Sequence, residues 1–225
     1  MKKQTYILIT ISLMGLTIFT VLLYLVLSKN NWLETNDYIT ATKMYNSRNS
    51  FFDAIFVLIS YLGETKTIVA ILIALLILPN RKQIGFPLLV GTLESLLLGI
   101  VLKTYVARER PAGLFLQEPV LEYNFPRGYS FPSGHSQTAN LFWLSLAILC
   151  SVNVVKNQLI GKLIVANTTV FCFLMCFARV YLCVHFFSDV LAGLGLGIFV
   201  LGTNVLLYER LVNKTNYYAM NKYKF

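Results

Sequence analysis

The 225-residue chain holds two histidines, and both stand beside residues that could turn an imidazole into a reagent. His185 is followed four residues later by Asp189. On one helical turn that spacing puts both side chains on one face. A carboxylate there can hold one ring nitrogen as N–H and leave the other free as an acceptor or nucleophile. His135 closes Pro132-Ser133-Gly134-His135 within "YSFPSGHSQTAN", where it is available to protonate a leaving oxygen. Ser133 suits the N-cap of a helix beginning near Gly134. The free N–H groups of such a helix start form an anion site, and Gly134 lets the backbone come close to an oxyanion. Lys103, Arg110 and Arg179 add three cations, arginine suited to bidentate phosphate contact and lysine acting as a point charge. Gathered at one spot with a helix mouth, these cations would repel one another unless an anion lay between them.

Taken in chain order, Lys103…Arg110-Pro111, Pro132-Ser133-Gly134-His135 and Arg179…His185…Asp189 resemble the tripartite signature of the type 2 phosphatidic acid phosphatase superfamily: K-x6-RP, PSGH and SR-x5-H-x3-D. One position departs from it, since Ala178 stands where the family usually has serine. The resemblance implies metal-independent hydrolysis of a phosphomonoester or pyrophosphate, with no cofactor. It further implies that His185 attacks phosphorus to give a phosphohistidine, that Asp189 orients it, and that His135 protonates the departing oxygen. Lys103, Arg110, Arg179 and the backbone around Ser133-Gly134 would hold the phosphoryl oxygens. The family's bacterial membrane members act on phosphatidylglycerophosphate, phosphatidate and undecaprenyl pyrophosphate, and this chain looks most like the phosphatidylglycerophosphatase B-like group. Pro132 and Glu94 are expected behind the site or along a substrate groove. Glu94 lies mid-span, about 13 Å along a helix from Lys103, so hydrogen bonding between helices is its leading reading.

These residues must be positioned by apolar elements. The chain is 56% hydrophobic and 13% charged, against roughly 25% charged in a soluble domain. Apolar stretches of about 20 residues recur, the length that crosses a bilayer. The expected architecture is all-α: one integral membrane domain over residues 1–225 with six transmembrane helices at about 6–27, 66–79, 84–103, 136–153, 162–182 and 188–208. Tyr6–Leu27 is read as a retained helix, because its apolar core exceeds the roughly 7–15 residues of a secretory signal. Ser28–Ser50 reads as a polar stretch. In Phe51–Tyr61 the residues Phe52, Ile55, Phe56 and Ile59 recur at helical spacing until Gly63 breaks the run. That segment is expected to be an interfacial helix. Thr104–Pro132 is the expected active-site loop.

The charge pattern excludes some functions. A net charge of +9 could suggest nucleic acid, but Lys and Arg are spread over short connections and form no single basic face. That pattern suits anionic headgroups and membrane orientation. The four cysteines form no CxxC pair and have no histidine at zinc-finger spacing, so neither a metal site nor a structural disulfide is expected. With both termini cytoplasmic, the three motif clusters fall together at the outer face of the cell membrane. A lipid phosphate is the expected substrate, and no obligate protein partner is implied. Arg108 and Arg127 are expected on a solvated face or against headgroups, and Trp32, Trp143 and the tail "NYYAMNKYKF" as interfacial anchors. A membrane anion or lipid transporter, or a binding protein reusing the fold, is the competing reading, but it needs neither a His–Asp pair nor a second imidazole. A haloperoxidase would be similar at the same motifs, but those enzymes are soluble and this chain is not built that way.

Overall fold

The computed structural model describes residues 3–111 and 128–222. Residues 112–127 of the expected active-site loop, Arg127 among them, lie outside the described residues, as does the last part of the aromatic tail. All regular structure among the described residues is helical. The order is α1 (Lys3–Leu27), α2 (Asn31–Asn46), α3 (Ser50–Leu62), α4 (Thr65–Ile77), α5 (Gly85–Val106), α6 (Asn140–Asn153), α7 (Gln158–Tyr181) and α8 (Phe187–Lys222). A short 3-10 turn, Pro79–Lys82, links α4 to α5, and a π-helical turn, His135–Ala139, leads into α6.

Four segments are long and apolar enough to cross a bilayer: Tyr6–Leu27, Gly85–Val106, Gln158–Tyr181 and Phe187–Leu207. The chain is a multi-pass membrane protein. The expected interfacial helix and second span are α3 and α4, bent by 43°. Each has 13 residues, about 20 Å and short of a hydrocarbon core of about 30 Å. Only the bent pair together reaches the required length. The helix α6, at 14 residues, also falls short alone. Length and apolarity therefore mark four spans, or five with the bent pair, where six were expected.

The polar stretch after α1 holds a helix. Asn30 caps α2 by accepting from Leu33 N at 3.2 Å, and the buried residues of α2 are Leu33, Asp37 and Ala41. They recur at i, i+4 and i+8, the seam of an amphipathic helix. The seam is hard to read because its middle member is a carboxylate.

The central helix is α8, and its glycines let neighbours approach on two sides. A Cβ on Gly193 would lie 2.5 Å from Ser133 O, and one on Gly197 would lie 2.8 Å from Gln137 O. These positions seat the π turn that carries His135. On another side a Cβ on Gly195 would lie 2.7 Å from Gly15 O of α1, and one on Gly202 would fall on Ser12 Oγ. Small residues at such crossings are how membrane helices gain close packing where apolar burial gives little drive. Phe19, Phe131, Leu141, Ala192, Leu196 and Val200 form one apolar cluster around this contact. A second joins α4, α5, α6 and α7 through Ile68, Leu72, Leu88, Phe142 and Met175. Elsewhere the helices turn large apolar side chains outward, such as Leu97, Ile100 and Val101 on α5, as lipid-facing surfaces must.

Candidate active site

α7 stops at Tyr181, Cys183 takes a left-handed backbone (φ 54°), and α8 begins at Phe187. His185 lies in this tight connection, where the N–H groups of Val184 and His185 both bond to Arg179 O at 3.2 Å. Asp189 stands in the first turn of α8, and its Oδ2 accepts from Phe186 N at 2.9 Å. A carboxylate in that place satisfies a free helix N–H and meets the positive end of the helix dipole.

The expected direct contact between His185 and Asp189 is replaced by a longer linkage. His185 Nδ1 is 3.7 Å from Asp189 Oδ2, beyond hydrogen-bond reach, because His185 precedes the helix instead of sharing its face. Ser130 fills the gap. Its hydroxyl donates to Asp189 Oδ2 in a short hydrogen bond, and its oxygen lies 3.3 Å from His185 Nδ1. On the other side of the ring, Arg110 Nη1 lies 3.1 Å from His185 Nε2. A guanidinium only donates, so Nε2 is the acceptor and Nδ1 carries the proton toward Ser130. Burial pushes the His185 pKa well below the usual imidazole range, and the nearby charges of Arg110, Arg179 and Lys103 lower it further. The ring is thus held neutral, with the lone pair on Nε2.

The cations converge from three elements. Lys103, in the last turn of α5, donates to the carbonyls of Tyr129 (3.0 Å), Ser130 (3.4 Å) and Pro132 (2.7 Å), fastening the segment that carries Ser130. Ala107, with φ 50°, ends α5 in a left-handed turn. Beyond it Arg110 donates to Gly128 O at 2.9 Å, Tyr129 O at 3.2 Å and Val184 O at 2.7 Å. Arg179 is fully buried in α7, and its charge acts against protonation of both histidines.

The serine–glycine turn closes the site. Ser133 Oγ accepts from Ser136 N at 3.4 Å and from Ser136 Oγ at 3.1 Å, while Ser133 N donates to Asp189 O at 3.0 Å. A Cβ on Gly134 would meet no protein atom within 4 Å. Pro132 is buried and follows Phe131 through a cis peptide bond. His135 Nε2 lies 3.0 Å from Ser60 O at the end of α3; since a carbonyl only accepts, that nitrogen carries a proton. Burial lowers the His135 pKa well below the usual range, followed by the charges of Arg179 and His185.

Some residues fall in places the sequence did not suggest. Arg108, expected on a solvated face, instead bridges two buried carboxylates. It lies 2.7 Å from Asp37 Oδ2 and 2.6 Å from Asp189 Oδ1. Glu94 accepts from Asn204 Nδ2 at 2.8 Å, a link between α5 and α8. Trp143, expected as an interfacial anchor, donates its indole N–H to Leu62 O at 3.1 Å and braces the end of α3. The cysteines are free thiols. Among the described residues, no group of three or more His, Cys, Asp or Glu is arranged to hold a metal ion. Ser130 and Asp37 are site residues that no motif marks. An open cavity of about 490 Å³ adjoins Arg110 and is lined also by Glu34, Thr35, Tyr38, Arg108, Glu109 and Phe186.

Comparison with known proteins identifies the family and the fold. The PAP2 superfamily model matches residues 84–212, a range that contains all three motif clusters. A transmembrane PAP2 type phosphatidylglycerolphosphate phosphatase from Bacillus subtilis is similar in structure, with a TM-score of 0.76 at 23% identity over 88% of this chain and 96% of that one. LpxE from Aquifex aeolicus is similar with a TM-score of 0.54 at 26% identity, covering 73% of this chain and 92% of that one. No curated protein sequence matches the chain.

Proposed function

This chain belongs to the PAP2 superfamily, and from that premise we propose that it is a membrane lipid phosphatase working through a phosphohistidine without a metal ion. The observation that carries this reading is the state of His185. Arg110 marks Nε2 as the lone-pair nitrogen, and Ser130 links the Nδ1 proton to Asp189. Such an imidazole is oriented to attack.

In the proposed sequence, a phosphate dianion binds among Arg110, Arg179, Lys103 and the N–H groups at Ser133-Gly134. Its charge offsets the cations, which removes part of what keeps His135 neutral, so His135 gains a proton. The His185 Nε2 lone pair attacks phosphorus in line; the N–P bond forms as the bond to the leaving oxygen breaks, and that oxygen takes the His135 proton. His135, now neutral, accepts a proton from water. The water oxygen attacks phosphorus and the N–P bond breaks, releasing phosphate and restoring His185. The cations and backbone N–H groups stabilise the charge spread over the phosphoryl oxygens in both steps.

The substrate is proposed to be a lipid phosphomonoester or pyrophosphate: phosphatidylglycerophosphate, phosphatidate or undecaprenyl pyrophosphate. The apolar spans around the site support a lipid. Both termini are proposed to be cytoplasmic, with the site on the outer face. A His–Ser–Asp linkage beside a second imidazole favours turnover over transport, which would need neither. The test is phosphate release from the three lipids, side by side, by purified protein in EDTA. Release from at least one is expected, and loss of that activity in EDTA would overturn the metal-free mechanism.

A further inference from the structure

We infer that Arg108, anchored by Asp37 of α2, is a positioning residue that holds the Asp189 carboxylate in register with His185. The inference rests on the phosphatase reading above. The two oxygens of Asp189 face different partners. Oδ2 faces the nucleophile side, where it takes the Ser130 hydroxyl and Phe186 N–H. Oδ1 faces away and takes Arg108 Nη1 at 2.6 Å. A carboxylate fixed at both oxygens cannot turn about its own axis, so the link through Ser130 to His185 stays aligned.

Arg108 is itself fixed on three sides. Its other terminal nitrogen, Nη2, donates to Asp37 Oδ2 at 2.7 Å, and Nη1 also donates to Ser188 Oγ at 2.7 Å. Its guanidinium carbon stands 4.4 Å from the centre of the Phe186 ring, next in sequence to His185. Asp37 in turn accepts from Ser188 N at 3.0 Å and from the Ser188 hydroxyl in a short hydrogen bond. Asp37 and Asp189 are both buried. One planar fork therefore ties α2 to the first turn of α8 directly behind the nucleophile. Lysine could neutralise one carboxylate but could not bridge both with fixed geometry.

The groups facing His185 are Lys103 from α5, Arg110 beyond it, Ser130, His135 from the π turn, Arg179 from α7 and Asp189 from α8; Arg108 stands one layer behind Asp189. Removing the Arg108 charge leaves the Asp189 negative charge less compensated, so an imidazolium at His185 is less disfavoured. The acid limb of kcat/KM then moves to higher pH. Removing only the fork leaves the charge and the limb in place.

The experiment uses the purified full chain in mixed detergent micelles with whichever of phosphatidylglycerophosphate, phosphatidate and undecaprenyl pyrophosphate the wild type hydrolyses fastest. Arg108→Gln is expected to lower kcat about 100-fold with little change in KM, and to move the acid limb up by about one pH unit. Arg108→Lys is expected to lower kcat without moving the limb. Asp37→Asn, which keeps an acceptor for Ser188, is expected to lower kcat about tenfold. If Arg108→Gln does not fold, the other two variants decide. An unchanged kcat in the folded variants, or a loss confined to KM with a fixed limb, overturns the positioning role. Wild-type turnover separates the two proposals: unchanged variants beside an active wild type overturn this inference alone, and a wild type that releases no phosphate from any of the three lipids overturns both.

Discussion

The ring of His135 lies against the backbone of Gly63. A Cβ added to Gly63 would come within 2.5 Å of His135 Cδ2 and 3.2 Å of Nε2, with Met175 Sδ at 2.7 Å behind it. The bend between α3 and α4 thus sets the place of the proposed proton donor, whose Nε2 is aimed at Ser60 O of the same bend.

Gly63→Ala tests this relationship. The backbone at Gly63 (φ −95°, ψ 0°) accepts alanine, so any effect is steric. The ring is expected to shift off Ser60 O and kcat to fall by about 10- to 100-fold. Steady-state kinetics on a lipid phosphate measures it, and a wild-type kcat would show that the ring finds an equivalent position.

Ser130→Ala removes the link between His185 and Asp189. A buried N–H and a buried carboxylate oxygen then each lose a partner. The expected cost is about 1–3 kcal/mol of stability, read from thermal unfolding in detergent, together with a fall in kcat. Unchanged turnover would mean that His185 needs no hydroxyl to hold its tautomer.

Both histidines titrate below the usual imidazole range in the folded protein, and the sign of the pH effect follows. The unfolded chain takes up protons at these rings near pH 6.5, whereas the folded chain resists. Above that pH both states are neutral at the histidines and no contribution arises. Below it the unfolded state binds more protons, so stability falls as pH drops toward the lowered folded values. A bound oxyanion relieves the repulsion and raises both pKa values. Binding of inorganic phosphate or vanadate is therefore expected to take up protons. Titration calorimetry in buffers of different ionisation enthalpy measures this, and binding without proton uptake would contradict the charge balance proposed for the site.

Gly202→Val tests the packing of α1 against α8. Its side chain would collide with Ser12 of α1, and overpacking of this kind costs about 1–3 kcal/mol. A lower Tm in detergent is expected. An unchanged Tm would show that α1 can move away from α8 without loss.

The motif residues were legible because chemistry restricts residue type and spacing: the only histidines in the chain fall in two of the three clusters, and the cations fall at fixed distances from them. The spans were legible from apolar length, except where that length is shared between two short helices. Gly63 reads as a helix break whether it divides an interfacial helix from a span or bends one span. The helix α2 was hidden because its inward seam contains Asp37, whose partners Arg108 and Ser188 lie far along the chain. Arg108 looked solvated for the same reason: a buried ion pair is a property of two distant positions, and neither signals it alone. Spacing placed His185 and Asp189 together, but it could not reveal that His185 precedes the helix, nor that Ser130 spans the resulting gap.

The central claim is that His185 forms a covalent bond to phosphorus, and rapid quenching with a lipid labelled at its terminal phosphate with phosphorus-32 tests it directly. Protein-bound label that is stable in base, labile in acid and located on His185 by peptide mapping is expected, with no label in His185→Ala. Acid-stable label, or label that persists in His185→Ala, would contradict it.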